Sequence, residues 1–165
     1  MRAGIDVYGA REALDLFPFS HRANVVYPGL WLSVGKYWAV EVFEAVHDAP
    51  GSCGYIVRDH EDTLCFITDT AYVKYVMPAC NIIMIEANYS ESILAANVEA
   101  GRIEPSRAKR VRENHMSIAR VLDFLKANDL SRCRAIHLLH LSDGNSNADS
   151  FKRMVQEATG IPVSV

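Results

Sequence analysis

A chain of 165 residues is long enough for one domain with a single core and does not require a second. Half of its residues are apolar and 22% are charged, which excludes a long disordered chain, and a net charge of −3 excludes a general basic footprint for nucleic acid. No apolar stretch approaches the ~18 residues of a membrane span and the opening MRAGIDVYG has no signal-peptide core, so a cytoplasmic protein without a membrane partner is expected.

In chain order, residues 4–8 predict a short strand, 10–16 a helical turn and 17–20, with Pro18, a break. Residues 24–27 and 30–34 predict short strands. The longer segment 36–47, rich in Val, Tyr, Trp and Phe, predicts another. Pro50, Gly51, Ser52 and Gly54 cluster into a turn over 48–54, after which 55–58 and 63–68 predict a hairpin. Residues 81–87 form an apolar run broken only by Glu86, the pattern of a central strand covered on both faces. Ser90 then opens a helix that ends near Gly101, Pro105 starts another through 113, and Ser117 caps a third with Ile118, Val121, Leu122 and Leu125 as its stripe. A buried strand over 134–139, an amphipathic helix over 148–159 and a last strand over 162–165 close the chain. The order suggests two packed sheets flanked by helices.

Three apolar runs each end in a residue able to hold a metal: 40–46 leads into His47, 64–68 into Asp69 and 135–139 into His140. Strands of layered α/β domains deliver ligand groups at their carboxyl ends, and two imidazoles with a carboxylate suit a divalent transition metal such as zinc. Each residue also has a plainer reading. His47 can be a packed strand-end histidine and Asp69 a turn cap. His137 and His140 lie three apart and point to opposite sides of an extended strand, so one of them is a core or surface histidine. Glu86 can be a partnered core acid and His115 an exposed ring. The basic stretch Arg102, Arg107, Lys109, Arg110 and Arg112 reads as a solvated helix face or as a phosphate-holding one. Cys53, Cys65, Cys80 and Cys133 show no C-x-x-C spacing and are expected to be buried thiols. No P-loop or G-x-G-x-x-G is present.

The succession His-Asp-Ala-Pro-Gly-Ser-x-Gly-Tyr (47–55), Thr-Asp-Thr (68–70), Ile-Glu-Ala-Asn (85–88), His-Met-Ser (115–117) and Leu-Leu-His-Leu-Ser-Asp-Gly-Asn (138–145) resembles the metallo-β-lactamase superfamily. Within it, the likeness is to the phosphodiesterase branch that includes ribonuclease Z and phage-type metallo-hydrolases. The resemblance implies an αββα sandwich over residues 1–165 with two Zn2+ ions in complete relatives, or Mn2+ in their place. It assigns His47 to the first metal, Asp69 to a bridging position and His140 to the second metal. His115 is implied to assist departure of the leaving oxygen, with Glu86 as its carboxylate neighbour. The implied substrate is a phosphodiester, either a cyclic nucleotide or nucleic acid, and the implied assembly is a homodimer. The family's His-x-His-x-Asp-His motif is absent from this sequence, so the sandwich is expected to be N-terminally incomplete and to hold fewer than two metals. Two classes of function follow: a metal-dependent phosphodiesterase, or a non-catalytic relative that folds and associates.

Overall fold

Four parallel strands, three of them with matched ends, set the geometry of this protein. In the computed structural model, which describes residues 4–16 and 21–165, they are β6 (Thr63–Ile67), β7 (Ile82–Glu86), β8 (Ala135–Leu139) and β9 (Val163–Ser164). Ile67 pairs with Ile85 and Ile85 with Leu138, so β6, β7 and β8 finish together at one edge of the sheet. Three antiparallel strands, β3 (Trp31–Val34), β4 (Trp38–Glu44) and β5 (Cys53–Arg58), extend it to seven in the order β3-β4-β5-β6-β7-β8-β9.

The helices follow from local signals. Helix α2 (Glu91–Glu99) starts after Ser90, but the Ser90 hydroxyl bonds to Ser92 Oγ and makes no cap bond; Gly101, at φ +67°, leaves the helix. Helix α3 (Pro105–Asn114) carries proline in its first turn. Helix α4 (Ile118–Ala127) is capped as expected, Ser117 Oγ accepting from the Arg120 amide, and α5 (Ala148–Thr159) is capped by Asn147. Val121, Leu125, Phe151 and Val155 from α4 and α5 pack on Ile67, Ile83, Ile85, Ile136 and Leu138 of the sheet to make the core.

The remaining elements are β1 (Val7–Gly9), α1 (Arg11–Leu14) and β2 (Ala23–Val25). β1 and β2 pair in parallel as a separate two-stranded sheet. The architecture is therefore a seven-stranded sheet with a second sheet of only two strands, because the Val- and Trp-rich segment 30–44 extends the large sheet. The expected break over 17–20 lies outside the described residues. The strand expected over 36–47 stops at Glu44, where the chain leaves the ladder for reasons that concern the site. β7 is interior to the sheet, yet only Ile83, Ile85 and Glu86 are fully buried, while Ile82 and Met84 are half-covered. All four cysteines are free; Cys65 and Cys80 are buried and the other two half-buried.

Candidate metal and acid–base site

Past Glu44 the backbone turns toward the end of β6. The Val46 amide donates to Thr70 Oγ1 at 2.8 Å and the Ala71 amide donates to Val46 O at 2.8 Å, which sets His47 beside Asp69. Two parallel exchanges bring in the others. The Asn88 amide donates to Met116 O and the Ile118 amide to Tyr89 O, laying the segment that carries His115 against the end of β7. The Ala87 amide donates to Leu139 O, and Asn88 Nδ2 donates to His140 O at 2.8 Å, which holds the backbone of His140. All five residues singled out from the sequence thus meet at the carboxyl edge of the parallel strands.

Among the described residues, Asp69 and His140 are the two non-glycine residues with positive φ, at 48° and 53°. Left-handed backbone is uncommon outside glycine, and Asp and His are among the few other residues that adopt it readily. Both occur where a strand ends and a side chain must be turned over the sheet edge.

Glu86 is the centre of the arrangement. It is 0% exposed, and its Oε2 accepts the Thr70 amide at 3.0 Å and the Met116 amide at 3.3 Å. Its Oε1 lies 2.7 Å from His115 Nδ1 and 2.9 Å from His140 Nδ1. One buried carboxylate therefore satisfies two amides and orients two imidazoles, and Nε2 of neither ring has a protein partner among the described residues. A carboxylate that fixes an imidazole through one nitrogen leaves the other free for a metal or a substrate. Asp69 Oδ1 stands 3.2 Å from His140 Nδ1, 3.9 Å from His115 Nδ1 and 4.0 Å from His47 Nε2. His115 lies between the other two rings, with centroids 5.3 Å from His47 and 5.2 Å from His140. The Glu86 hydrogen bond raises the pKa of His115 above the ordinary imidazole value against the opposing effect of burial, and Asp69 and Asp48 reinforce it.

Donor atoms of Asp69, Glu86, His115 and His140 lie within 4.8 Å of one another, a set whose chemistry fits a divalent transition metal. His47 stands outside that group. Its Nδ1 accepts the Ala49 amide at 2.9 Å, which in the neutral ring places the proton on Nε2, the atom facing Asp69. Ligation through Nε2 would require that proton to leave. His137 points away from the site, as the alternation of β8 requires, and shares a hydrogen bond with Ser164 Oγ at 2.6 Å.

Sequence reasoning did not single out Thr70, Asn88 or Asn114. Asn114 Oδ1 accepts the Asp48 amide at 2.6 Å, and Arg110 Nε donates to Asp48 Oδ2 at 2.7 Å, holding the Asp48 carboxyl below its usual range. Thr70 and Asn88 stood within the quoted motifs, but their role is to tie loops together, and a pairing between distant loops leaves no local pattern. Of the basic stretch, Arg102 is bound to Asn97, Lys109 to Glu113, Arg110 to Asp48 and Arg112 to Glu91. Arg107 has no partner among the described residues, and with Arg110, Val111 and His115 it lines a cavity of about 230 Å³.

No protein-family profile matches the chain, and no curated protein matches it. Solved structures do. The chain is similar to a metal-dependent hydrolase from Parabacteroides distasonis at 12% identity and a TM-score of 0.66, covering 96% of this chain and 63% of that one. It is similar to the metallo-β-lactamase fold protein YhfI from Bacillus subtilis at 14% identity and a TM-score of 0.68, covering 96% and 60%. It also resembles Zn2+-bound PqqB from Methylobacterium extorquens at 16% identity and a TM-score of 0.58, covering 87% and 53%. The chain spans about six-tenths of the length of the first two. At these identities the likeness concerns the fold, and the fold of this chain is that of the metallo-β-lactamase proteins.

Proposed function

We propose that this chain belongs to a metal-dependent phosphodiesterase acting on cyclic nucleotides or on RNA or DNA phosphodiesters. The observation that carries the reading is the pair His115 and His140 hung from one fully buried carboxylate, Glu86, beside Asp69. Such an arrangement separates a ring that can hold a proton from residues that can hold a cation. Asp69 and His140, joined by His47 once its Nε2 proton has left, would hold zinc or manganese, which when bound supplies Lewis acidity for activating water and for neutralising charge on phosphate oxygens.

The chain's own residues account for the rest. Glu86 accepts from His115 Nδ1 and favours the imidazolium, so His115 Nε2 is the atom that can donate a proton to a departing oxygen. Arg107, unpaired in the cavity that His115 also lines, supports reception of a phosphate oxygen. These groups suit a phosphodiester, whose anionic oxygen sits on the reacting phosphorus itself, whereas a β-lactam or a thioester presents a neutral carbonyl at its reacting centre.

Assay of a chromogenic phosphodiester beside a β-lactam and a thioester tests the reading, and turnover of either of the latter alone overturns it. His115→Ala is expected to lower kcat by about 10²- to 10⁴-fold with metal content unchanged, whereas Asp69→Ala loses metal and activity together. Elemental analysis after dialysis is expected to give fewer than two metals per chain, because His47, Asp69 and His140 cannot fill two coordination shells. A second reading, a non-catalytic module that associates with itself, is favoured by the amide bond to His47 Nδ1 and by the apolar cavity between the two sheets.

A further inference from the structure

Immediately beyond the site lies a groove that the chemistry above leaves unused. Tyr72, Tyr75, Met116, Arg120, Asp123 and Phe124 contribute to a cavity of about 360 Å³, within the range of small-molecule sites. It adjoins the site through two short connections. Tyr72 follows Asp69 by three residues, and Met116 follows His115, its amide donating to Glu86 Oε2.

The lining has a distinctive chemistry. Tyr72 and Tyr75 are 44% and 45% exposed, a large aromatic area to leave in water. Arg120 is held in place by donation from Nη1 to Ala71 O at 2.8 Å, with its guanidinium 5.9 Å from the centroid of the Tyr72 ring. Tyr75 is steadied by an edge contact with Phe43, ring centroids 6.4 Å apart. Asp123 is exposed and has neither an ion-pair nor a hydrogen-bond partner among the described residues. Exposed rings, a fixed guanidinium and an unpaired carboxylate around one cavity ask for a flat, polarisable ligand with N–H donors on its edge. A lipid tail offers neither donors nor a π-face, and an aliphatic peptide side chain leaves Asp123 unanswered.

We infer that this groove seats the nucleobase of a nucleotide substrate, stacked on Tyr72 beside Arg120, with Asp123 accepting from the base edge. Guanine suits it best, because its adjacent ring and exocyclic N–H groups match the two oxygens of one carboxylate. Stacking on aromatic rings and guanidinium planes tolerates any base, so Asp123 supplies the selectivity and the tyrosines the affinity. The inference rests on the phosphodiesterase reading and narrows its substrate to nucleotides.

The test is binding to the metal-free chain, followed by NMR of labelled methionine methyls and tyrosine rings. Guanosine 5′-monophosphate is expected to shift Met116 and Tyr72, and ribose 5-phosphate to leave both unmoved. Tyr72→Ala is expected to weaken the nucleotide by about 10- to 100-fold, and Asp123→Asn to remove the preference for guanosine over uridine monophosphate. Equal shifts from ribose 5-phosphate, or no shift at Tyr72 and Met116 with the nucleotide, would overturn the inference. The two readings fail separately. Turnover of base-free methyl p-nitrophenyl phosphate by the metal-loaded protein bears on phosphodiesterase chemistry alone, and nucleotide binding by the metal-free chain bears on the groove alone.

Discussion

Glu86 shows how much one side chain can organise. Its carboxylate sits with no exposure and answers two amides and two imidazoles, so removing it strands the Thr70 and Met116 amides and His115 Nδ1, and leaves His140 Nδ1 only Asp69 at 3.2 Å. Glu86→Ala is expected to cost about 3–5 kcal/mol, the usual penalty for breaking a buried charged network, and urea denaturation would show it as a lowered midpoint. A cost below about 1 kcal/mol would mean that the network contributes no net stability. The same contact gives a pH dependence. Because the Glu86 hydrogen bond raises the folded-state pKa of His115, the folded protein holds that proton more tightly than the unfolded chain. The resulting stability is complete below the unfolded value of about 6.5 and is lost as pH rises through the raised folded value. Denaturation of the metal-free chain across that window should show the decline, and Glu86→Gln should abolish it.

Individual elements are placed by signals of unequal legibility. The caps at Ser117 and Asn147 and the apolar stripe of α4 are local, so the helices could be read closely from sequence. The strand expected over 36–47 spans only Trp38–Glu44, since Val46 bonds to Thr70 and Ala71 and leaves its own ladder. Glycine placement in β5 is another tertiary matter. Phe43 faces Gly54 across the β4–β5 pair, and a Cβ at Gly54 would lie 2.1 Å from the Phe43 ring. Gly54→Ala must displace that ring, which also meets Tyr75, and is expected to cost about 1–3 kcal/mol by overpacking. Thermal unfolding would register it as a lowered Tm, whereas an unchanged Tm would show that the ring has room to move.

Across the whole molecule, the two sheets are unequal. Tyr8 and Val26 line one side of a cavity of about 330 Å³ whose other side comes from Leu32, Val40, Val42 and Val57. Two short strands cover little of the antiparallel half of the large sheet, and Trp31, Trp38, Tyr27 and Tyr37 are 48% to 63% exposed. Exposed apolar surface of this kind favours association. Sedimentation at micromolar concentration is expected to show a dimer, and Trp38→Ser to weaken it. A clean monomer that also fails to bind an apolar dye would refute the expectation. Among the described residues no helix is long and apolar enough to cross a membrane, so the apolar surface is not a helical span.

The sequence alone determined that Asp69 and His140 follow the ends of parallel strands, because the apolar runs before them follow the period of the sheet and the motifs fall in a recognisable order. His47, by contrast, lies three residues beyond the antiparallel strand that the same reasoning ran into it. It also determined that His137 faces away from His140, since alternation along an extended strand is a local property. Only the tertiary structure decided that Glu86 serves both His115 and His140, that His47 accepts an amide on Nδ1, and that the β-rich front joins the large sheet. Those outcomes depend on hydrogen bonds between segments dozens of residues apart, and such bonds are chosen by the packing of the whole chain.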